Sequence, residues 1–203
     1  MTLWLASQPL VLASKSPARR ALLEAAGIPI EIRPADIDER AVEARAGKRD
    51  PVDVALLLAR EKARAAAAIG QPERVVLGAD QTLALGERRF SKASDRAGAR
   101  AQLAALRGQT HALHSAVAVV RDGTVIFEHA DAAHLTMRAF SDRFLDSYLD
   151  AVGVAATASV GGYQLEGIGI QLFERVVGDH FTVLGLPLLP LLDWLRRAGM
   201  LAG

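Results

Sequence analysis

Cysteine is absent from the 203 residues. That excludes disulfides, thiolate nucleophiles and cysteine-ligated zinc from the chemistry open to the chain. No apolar run is long enough to cross a bilayer as a helix. The opening Met-Thr-Leu-Trp-Leu-Ala-Ser-Gln-Pro lacks the basic start of a secretory signal, so a soluble cytoplasmic protein is the expectation. An excess of one charge is missing as well. Lys and Arg total 24 against 23 Asp and Glu, for a net charge of +1, which leaves no global basic field for nucleic acid. Familiar catalytic signatures are also absent: there is no Gly-x-Ser-x-Gly elbow, no Walker loop and no Gly-x-Gly-x-x-Gly after a strand. Gly167-Ile168-Gly169 alone is too little to define a dinucleotide site. No tandem repeat or low-complexity linker divides the chain, and 203 residues suffice for one large domain or two small lobes.

What is present is concentrated first in residues 10–20. Leu10, Val11 and Leu12 run into Ser14, Lys15 and Ser16, then Pro17 and the pair Arg19-Arg20. The pattern predicts a buried strand, a tight loop and the first turn of a helix. Ser16 fits the N-cap, where its oxygen can accept from an unpaired helix amide, and Pro17 fits the first helical position. A helix N-terminus at the end of a strand favours anions. With Ser14, Lys15, Arg19 and Arg20 beside it, the loop reads either as a phosphate cradle or as an ordinary strand–helix joint.

Further along, the spacing predicts helices over 17–26, 51–69, 94–106 (capped by Ser94), 141–150 (capped by Ser141) and 188–198. Strands are expected at 28–33, 74–77, 110–120, 124–137, 173–177 and 181–183. Two hairpins are indicated, one around Gly86-Glu87 and one at the Asp122-Gly123 turn. Residues 36–40 read as an acidic loop. This mixture of helices and hairpins argues for an α/β or α+β fold with antiparallel members in its sheet.

Asp80 follows Gly78-Ala79 directly, at the expected end of a short apolar strand. A carboxylate held rigidly there can ligate a metal or activate water, or simply cap a turn. Asp36, Asp38 and Glu39 form a small acidic cluster of the hard-oxygen type that Mg²⁺ uses, although such clusters are commonly solvated. Lys62, within Arg60-Glu61-Lys62-Ala63-Arg64, and Lys92, after Phe90-Ser91, read by pattern alone as solvent-facing. His111 and His114 are three apart and point to opposite faces of a strand, which disfavours a shared metal site and favours a core or interface histidine.

Eight segments in order resemble the Maf family of nucleoside triphosphate pyrophosphatases. They are Leu12-Ala13-Ser14-Lys15-Ser16-Pro17-Ala18-Arg19-Arg20, Asp36-Ile37-Asp38-Glu39, Leu58-Ala59-Arg60-Glu61-Lys62-Ala63, Gly78-Ala79-Asp80-Gln81, Ser91-Lys92, Leu106-Arg107-Gly108-Gln109-Thr110-His111, Gly161-Gly162-Tyr163-Gln164-Leu165-Glu166-Gly167, and Val183-Leu184-Gly185-Leu186-Pro187-Leu188. The resemblance covers nearly the whole chain. It implies a single domain over 1–203 with an elongated mixed α/β sheet flanked by helices, in two lobes around a deep cleft. It also implies hydrolysis of a nucleoside triphosphate to the monophosphate and pyrophosphate with a divalent cation, Mg²⁺ or Mn²⁺, and a homodimer that binds neither nucleic acid nor membrane.

By the same resemblance, Asp80 is the catalytic proton acceptor and, with Glu39, the metal-binding acid. Ser14, Arg19, Lys62 and Lys92 hold phosphates. Specificity falls to Ala18, Gln81 and Glu166. Family members that prefer dTTP and UTP carry arginine, threonine and glutamine at those places, whereas Gln81 with Glu166 is similar to the branch acting on 7-methyl-GTP. Methylation at N7 makes guanine cationic, which a carboxylate at Glu166 would favour, and an amide at Gln81 can donate or accept. The alternatives are a dTTP/UTP pyrophosphatase and a non-catalytic nucleotide-binding regulator of cell division.

Overall fold

The computed structural model describes residues 3–47, 50–71 and 73–203. It is a mixed α/β fold. Among the described residues, seven strands, β1 (Leu10–Leu12), β2 (Ile30–Ile32), β3 (Val76–Leu85), β4 (Arg88–Phe90), β5 (Thr110–Arg121), β6 (Thr124–Met137) and β7 (Phe173–Val177), are interspersed with seven α-helices, α1 (Pro17–Ala25), α2 (Glu39–Ala46), α3 (Pro51–Ala68), α4 (Arg96–Leu106), α5 (Asp142–Val152), α6 (His180–Val183) and α7 (Leu188–Arg197). The sheet order is β2-β1-β3-β5-β6-β7, and β4 pairs with β3. β1 runs parallel to β2 and β3, while β3–β4 and β6–β7 are antiparallel. No helix among the described residues is long and apolar enough to cross a membrane.

Two compact units divide the chain: residues 1–81, 114–131 and 179–203 form one, and residues 82–113 and 132–178 the other. In the first, successive β1 side chains feed opposite faces of the sheet, as strand pleating requires. Leu10 and Leu12 pack with Leu23, Leu77, Val117, Val119, Leu191 and Leu195, bringing α1 and α7 onto one face. Val11 and Ala13 pack with Ala63, Ala66 and Val76, bringing α3 onto the other. The small side chains of α3 let it lie very close to β3. A Cβ added at Gly78 would sit 2.1 Å from the Ala59 carbonyl oxygen and 2.7 Å from the Ala63 nitrogen. Gly78 therefore does not end the strand, as expected from its neighbours. It is the contact point of α3, and β3 runs on through Asp80 to Leu85. Asp80 stands mid-strand, not at a strand end.

Three other expectations need correction. Glu39 and Arg40 are helical, because Asp38 caps α2 by accepting from the Ala41 amide at 3.0 Å, so the acidic loop stops at residue 38. Residues 181–183 lie in α6, capped by Asp179, which accepts from the Thr182 amide at 3.0 Å; three apolar residues could not distinguish strand from helix. The cap of α4 is Asp95, which accepts from the Gly98 amide at 2.7 Å, not its neighbour Ser94. The cap at Ser141 and both hairpins form where expected, and Asp122 adopts the left-handed conformation that the second hairpin's turn requires.

In the second unit α4 packs against α5, and Leu103 and Leu106 of the one and Leu145 and Leu149 of the other are buried. The Arg100–Asp146 pair at 2.7 Å bridges their outer faces. Its interior holds a polar pair, in which His111 Nε2 lies 2.7 Å from the Tyr163 hydroxyl while Nδ1 has no hydrogen-bond partner among the described residues. Burial pulls the His111 pKa down to about 4. The unfolded chain takes up this proton near the ordinary histidine value, and the folded chain only near the lowered one. Stability should be constant above that window and decline through it as pH falls, by on the order of 3 kcal/mol in all. Urea unfolding of wild type and His111→Gln at pH 7.5 and pH 4.5 checks this. Wild type should lose about 2–3 kcal/mol more than the variant between the two conditions, and equal losses would assign the acid sensitivity elsewhere.

Candidate active site

The site assembles in the first unit around Asp80. Val76, Gly78 and Asp80 share one face of β3, and that face lies under α3. The inward stripe of α3 continues from Leu58 and Ala59 to Lys62, four and three residues on. Lys62 is thus delivered onto Asp80: Nζ donates to Asp80 Oδ1 at 2.6 Å. The same nitrogen lies 2.8 Å from Glu39 Oε1, in the first turn of α2. One ammonium therefore joins two carboxylates. Their side-chain exposures are 12% for Lys62, 9% for Asp80 and 53% for Glu39, so the pair is sealed on the Asp80 side and open on the Glu39 side.

Burial raises the pKa of Asp80 from its ordinary value. The positive charges of Lys62 and Arg19 oppose that shift, and the charge on Glu39 adds to it. Cations that offset the desolvation are what allow an ionised carboxylate to persist in the sheet interior.

Arg19 is buried, at 9% exposure. Its guanidinium is spread over three segments: Nε donates to the Gly185 carbonyl at 2.8 Å, and Nη1 donates to the Ala79 carbonyl at 2.8 Å and to Ser14 Oγ at 3.3 Å. Gly185 adopts φ +92°, and a Cβ there would meet Arg19 Nε at 3.4 Å, so glycine suits both the turn and the guanidinium. Ser14 Oγ also accepts from the Ser16 amide at 3.2 Å, and Ser16 caps α1 by accepting from the Arg19 amide. The strand–loop–helix corner read from residues 10–20 is present. Arg20, in contrast, is exposed and pairs with Glu24 one helical turn on.

Gln81 lies on the opposite face of β3 from Asp80. Its Nε2 donates to Ser115 Oγ at 2.9 Å, to the Thr182 carbonyl at 3.1 Å and to the Val183 carbonyl at 3.0 Å. Carbonyls only accept, so the amide orientation is fixed by its partners. Every hydrogen bond that this side chain makes among the described residues comes from Nε2, which leaves Oε1 as an acceptor. Ser115 donates to the same Thr182 carbonyl at 2.7 Å.

The structure therefore gathers Ser14, Arg19, Glu39, Lys62, Asp80 and Gln81 in one unit, with Ala18 half-buried in the first turn of α1. Lys92 and Glu166 belong to the second unit, each exposed, in an irregular stretch after β4 and in a turn. Sequence reasoning missed Ser115, Thr182 and the Gly185 carbonyl. A serine within the apolar run of β5 was the available signal for the first; the others act through their backbone.

Fold and site together define an α/β protein with a cation-bridged carboxylate pair beside a helix-capped loop. The Maf-like protein family model matches residues 9–198, and the chain belongs to that family. A nucleoside triphosphate pyrophosphatase from Rhodopseudomonas palustris (strain BisB18) is 55% identical over 204 residues, covering 100% of both chains. One from Bradyrhizobium diazoefficiens is 55% identical over 202 residues with the same coverage. A 7-methyl-GTP pyrophosphatase from Rhizobium etli is 52% identical, covering 96% of this chain and 98% of its own.

Because Arg19 ties three segments around Asp80, Arg19→Lys should keep the charge yet lose the fork. The expected cost is about 2–4 kcal/mol in denaturant unfolding. An unchanged midpoint would show that the tether carries no weight.

Proposed function

We propose that this chain hydrolyses a nucleoside triphosphate to the monophosphate and pyrophosphate, with 7-methyl-GTP as its preferred substrate. The observation that carries the reaction is the Glu39–Lys62–Asp80 chain at 2.8 and 2.6 Å. It puts a buried carboxylate of raised pKa and a cation side by side in a chain of this family. Asp80 orients a water and accepts its proton as the oxygen attacks the α-phosphorus. Lys62 and the corner at Ser14 stabilise charge on the phosphoryl oxygens. Arg19 contributes positive charge from behind the corner, and Lys92 is kept as a phosphate ligand on its motif.

A divalent cation, Mg²⁺ or Mn²⁺, suits this donor set. Asp80 Oδ1 and Glu39 Oε1 already converge on one positive centre, and both are hard oxygen donors. Such ions characteristically take one or two carboxylates and complete their shell with substrate phosphate oxygens. Among the described residues no group of three or more His, Cys, Asp or Glu side chains is placed to hold a metal, which fits a cation shared with the substrate. When bound, it supplies charge neutralisation at the phosphates.

Support for the base comes from three positions. Ala18 leaves room where the dTTP/UTP branch has arginine. Gln81, whose Nε2 is engaged with Ser115 and the carbonyls of Thr182 and Val183, has Oε1 with which to accept from a base amine or imide. Glu166 offers a carboxylate to a cationic purine, and the Rhizobium etli relative carries that substrate in its name. A homodimer and a cytoplasmic location belong to the same reading, on the family resemblance.

A panel of nucleoside triphosphates with Mg²⁺ or Mn²⁺, read by pyrophosphate release, should give its highest kcat/KM with 7-methyl-GTP. A preference for dTTP or UTP would overturn the base assignment, and no metal-dependent product from any nucleotide would overturn the reaction. Asp80→Asn should lower kcat by about 10²–10⁴-fold in a folded protein; near-normal turnover would remove Asp80 from the chemistry. Glu166→Gln should cut discrimination between 7-methyl-GTP and GTP by about tenfold or more, and an unchanged ratio would take Glu166 out of base recognition.

A further inference from the structure

We infer that Lys62 gates cation binding: its ammonium occupies Asp80 and Glu39 until a triphosphate draws it off, so the carboxylates accept a divalent cation only together with the phosphates. The inference rests on the proposed function and concerns the order in which the site fills.

The geometry carries it. Lys62 Nζ is 2.6 Å from Asp80 Oδ1 and 2.8 Å from Glu39 Oε1, so the two oxygens that suit a hard cation are both held by one ammonium. A second cation on those oxygens would stand against Lys62 across contact distance, in a place where water screens little. Without a metal, the ammonium is also what compensates the buried Asp80, so Lys62 has no reason to leave on its own.

Among the described residues, the partners of Lys62 Nζ are these two carboxylates, and no third His, Cys, Asp or Glu joins them in a metal-holding group. Two carboxylates already neutralised in part by an ammonium make a poor dication site.

A triphosphate changes both sides of the balance. Its oxygens offer Lys62 a new anionic partner within reach of a flexible four-carbon stem, and they supply the missing oxygen donors for the cation. Asp80 then exchanges one positive partner for another and is never left bare. The open side at Glu39, whose side chain is 53% exposed, is where this exchange can occur. The two binding events become linked, and the linkage is reciprocal.

Equilibrium dialysis of the full chain against Mn²⁺ tests this, with and without inorganic triphosphate, which removes any dependence on the base. Wild type should retain about one Mn²⁺ per chain with triphosphate and bind it about tenfold or more weakly without. Lys62→Met should retain Mn²⁺ without triphosphate, its affinity about tenfold or more above that of wild type under the same condition. The further change Glu39→Gln in that background should abolish the gain, because the released carboxylates are what bind the ion.

Wild type holding Mn²⁺ without triphosphate as tightly as Lys62→Met would overturn the gate. So would a gain that survives Glu39→Gln. Lys62→Gln repeats the test with a polar replacement. If neither variant folds, the wild-type arm decides: saturable Mn²⁺ retention without triphosphate, as tight as with it, overturns the inference. A chain that shows the Lys62-dependent binding but releases pyrophosphate from no nucleotide would refute the proposed reaction and leave the gate standing. A chain that turns over nucleotide but binds Mn²⁺ independently of triphosphate would do the reverse.

Discussion

A carboxylate in the middle of a sheet strand is the constraint around which the first unit is built. Asp80 would be costly to ionise beneath a helix and against apolar neighbours. Lys62 resolves that problem from α3 at 2.6 Å, and Arg19 adds positive charge from the first turn of α1. The requirement reaches into the packing. For Lys62 to meet Asp80, α3 must lie almost on the backbone of β3, and that is possible only because position 78 is glycine and the helix face is alanine. The proposed chemistry and the helix–sheet packing thus share the same few residues.

The opposite face of β3 does complementary work. Gln81 and Ser115 hold the carbonyls of residues 182 and 183, while Arg19 holds the carbonyl of Gly185. One strand therefore aims a carboxylate from one face and anchors a turn of chain from the other. Buried polar networks of this kind are stable only when their members are satisfied, and here the bonds go to the Thr182 carbonyl, which also accepts from the Gly185 amide at 3.1 Å, and to the carbonyls of Val183 and Gly185 at and just beyond the end of the short helix α6. The likeness to nucleoside triphosphate pyrophosphatases extends over the full chain, as expected if this arrangement depends on residues spread from position 14 to position 185.

Much of this was legible in the sequence where the signal was local. Residues 10–20 fold as read because Leu10 to Leu12, Ser16 and Pro17 each favour the same strand, cap and helix start. The Asp122-Gly123 hairpin and the Ser141 cap form for the same reason. Gly78 misled because a glycine in a short apolar run is ordinarily a boundary, whereas its role is to admit α3, a contact that no local pattern encodes. Residues 181–183 misled because three apolar residues have no period. Lys62 reads as solvent-facing by pattern alone and as a phosphate ligand by its motif, and its spacing from Leu58 and Ala59 places it on the inward stripe. The bond from Arg19 to Gly185 spans 166 positions, and only the motif order could point to it.

In the proposed reaction, water oriented by Asp80 attacks the α-phosphorus. Hydrolysis in ¹⁸O-labelled water, with the products separated and weighed by mass spectrometry, tests that step directly. Attack at the α-phosphorus places one labelled oxygen in the nucleoside monophosphate and none in the pyrophosphate. Label in the pyrophosphate, or release of inorganic phosphate in its place, would contradict it.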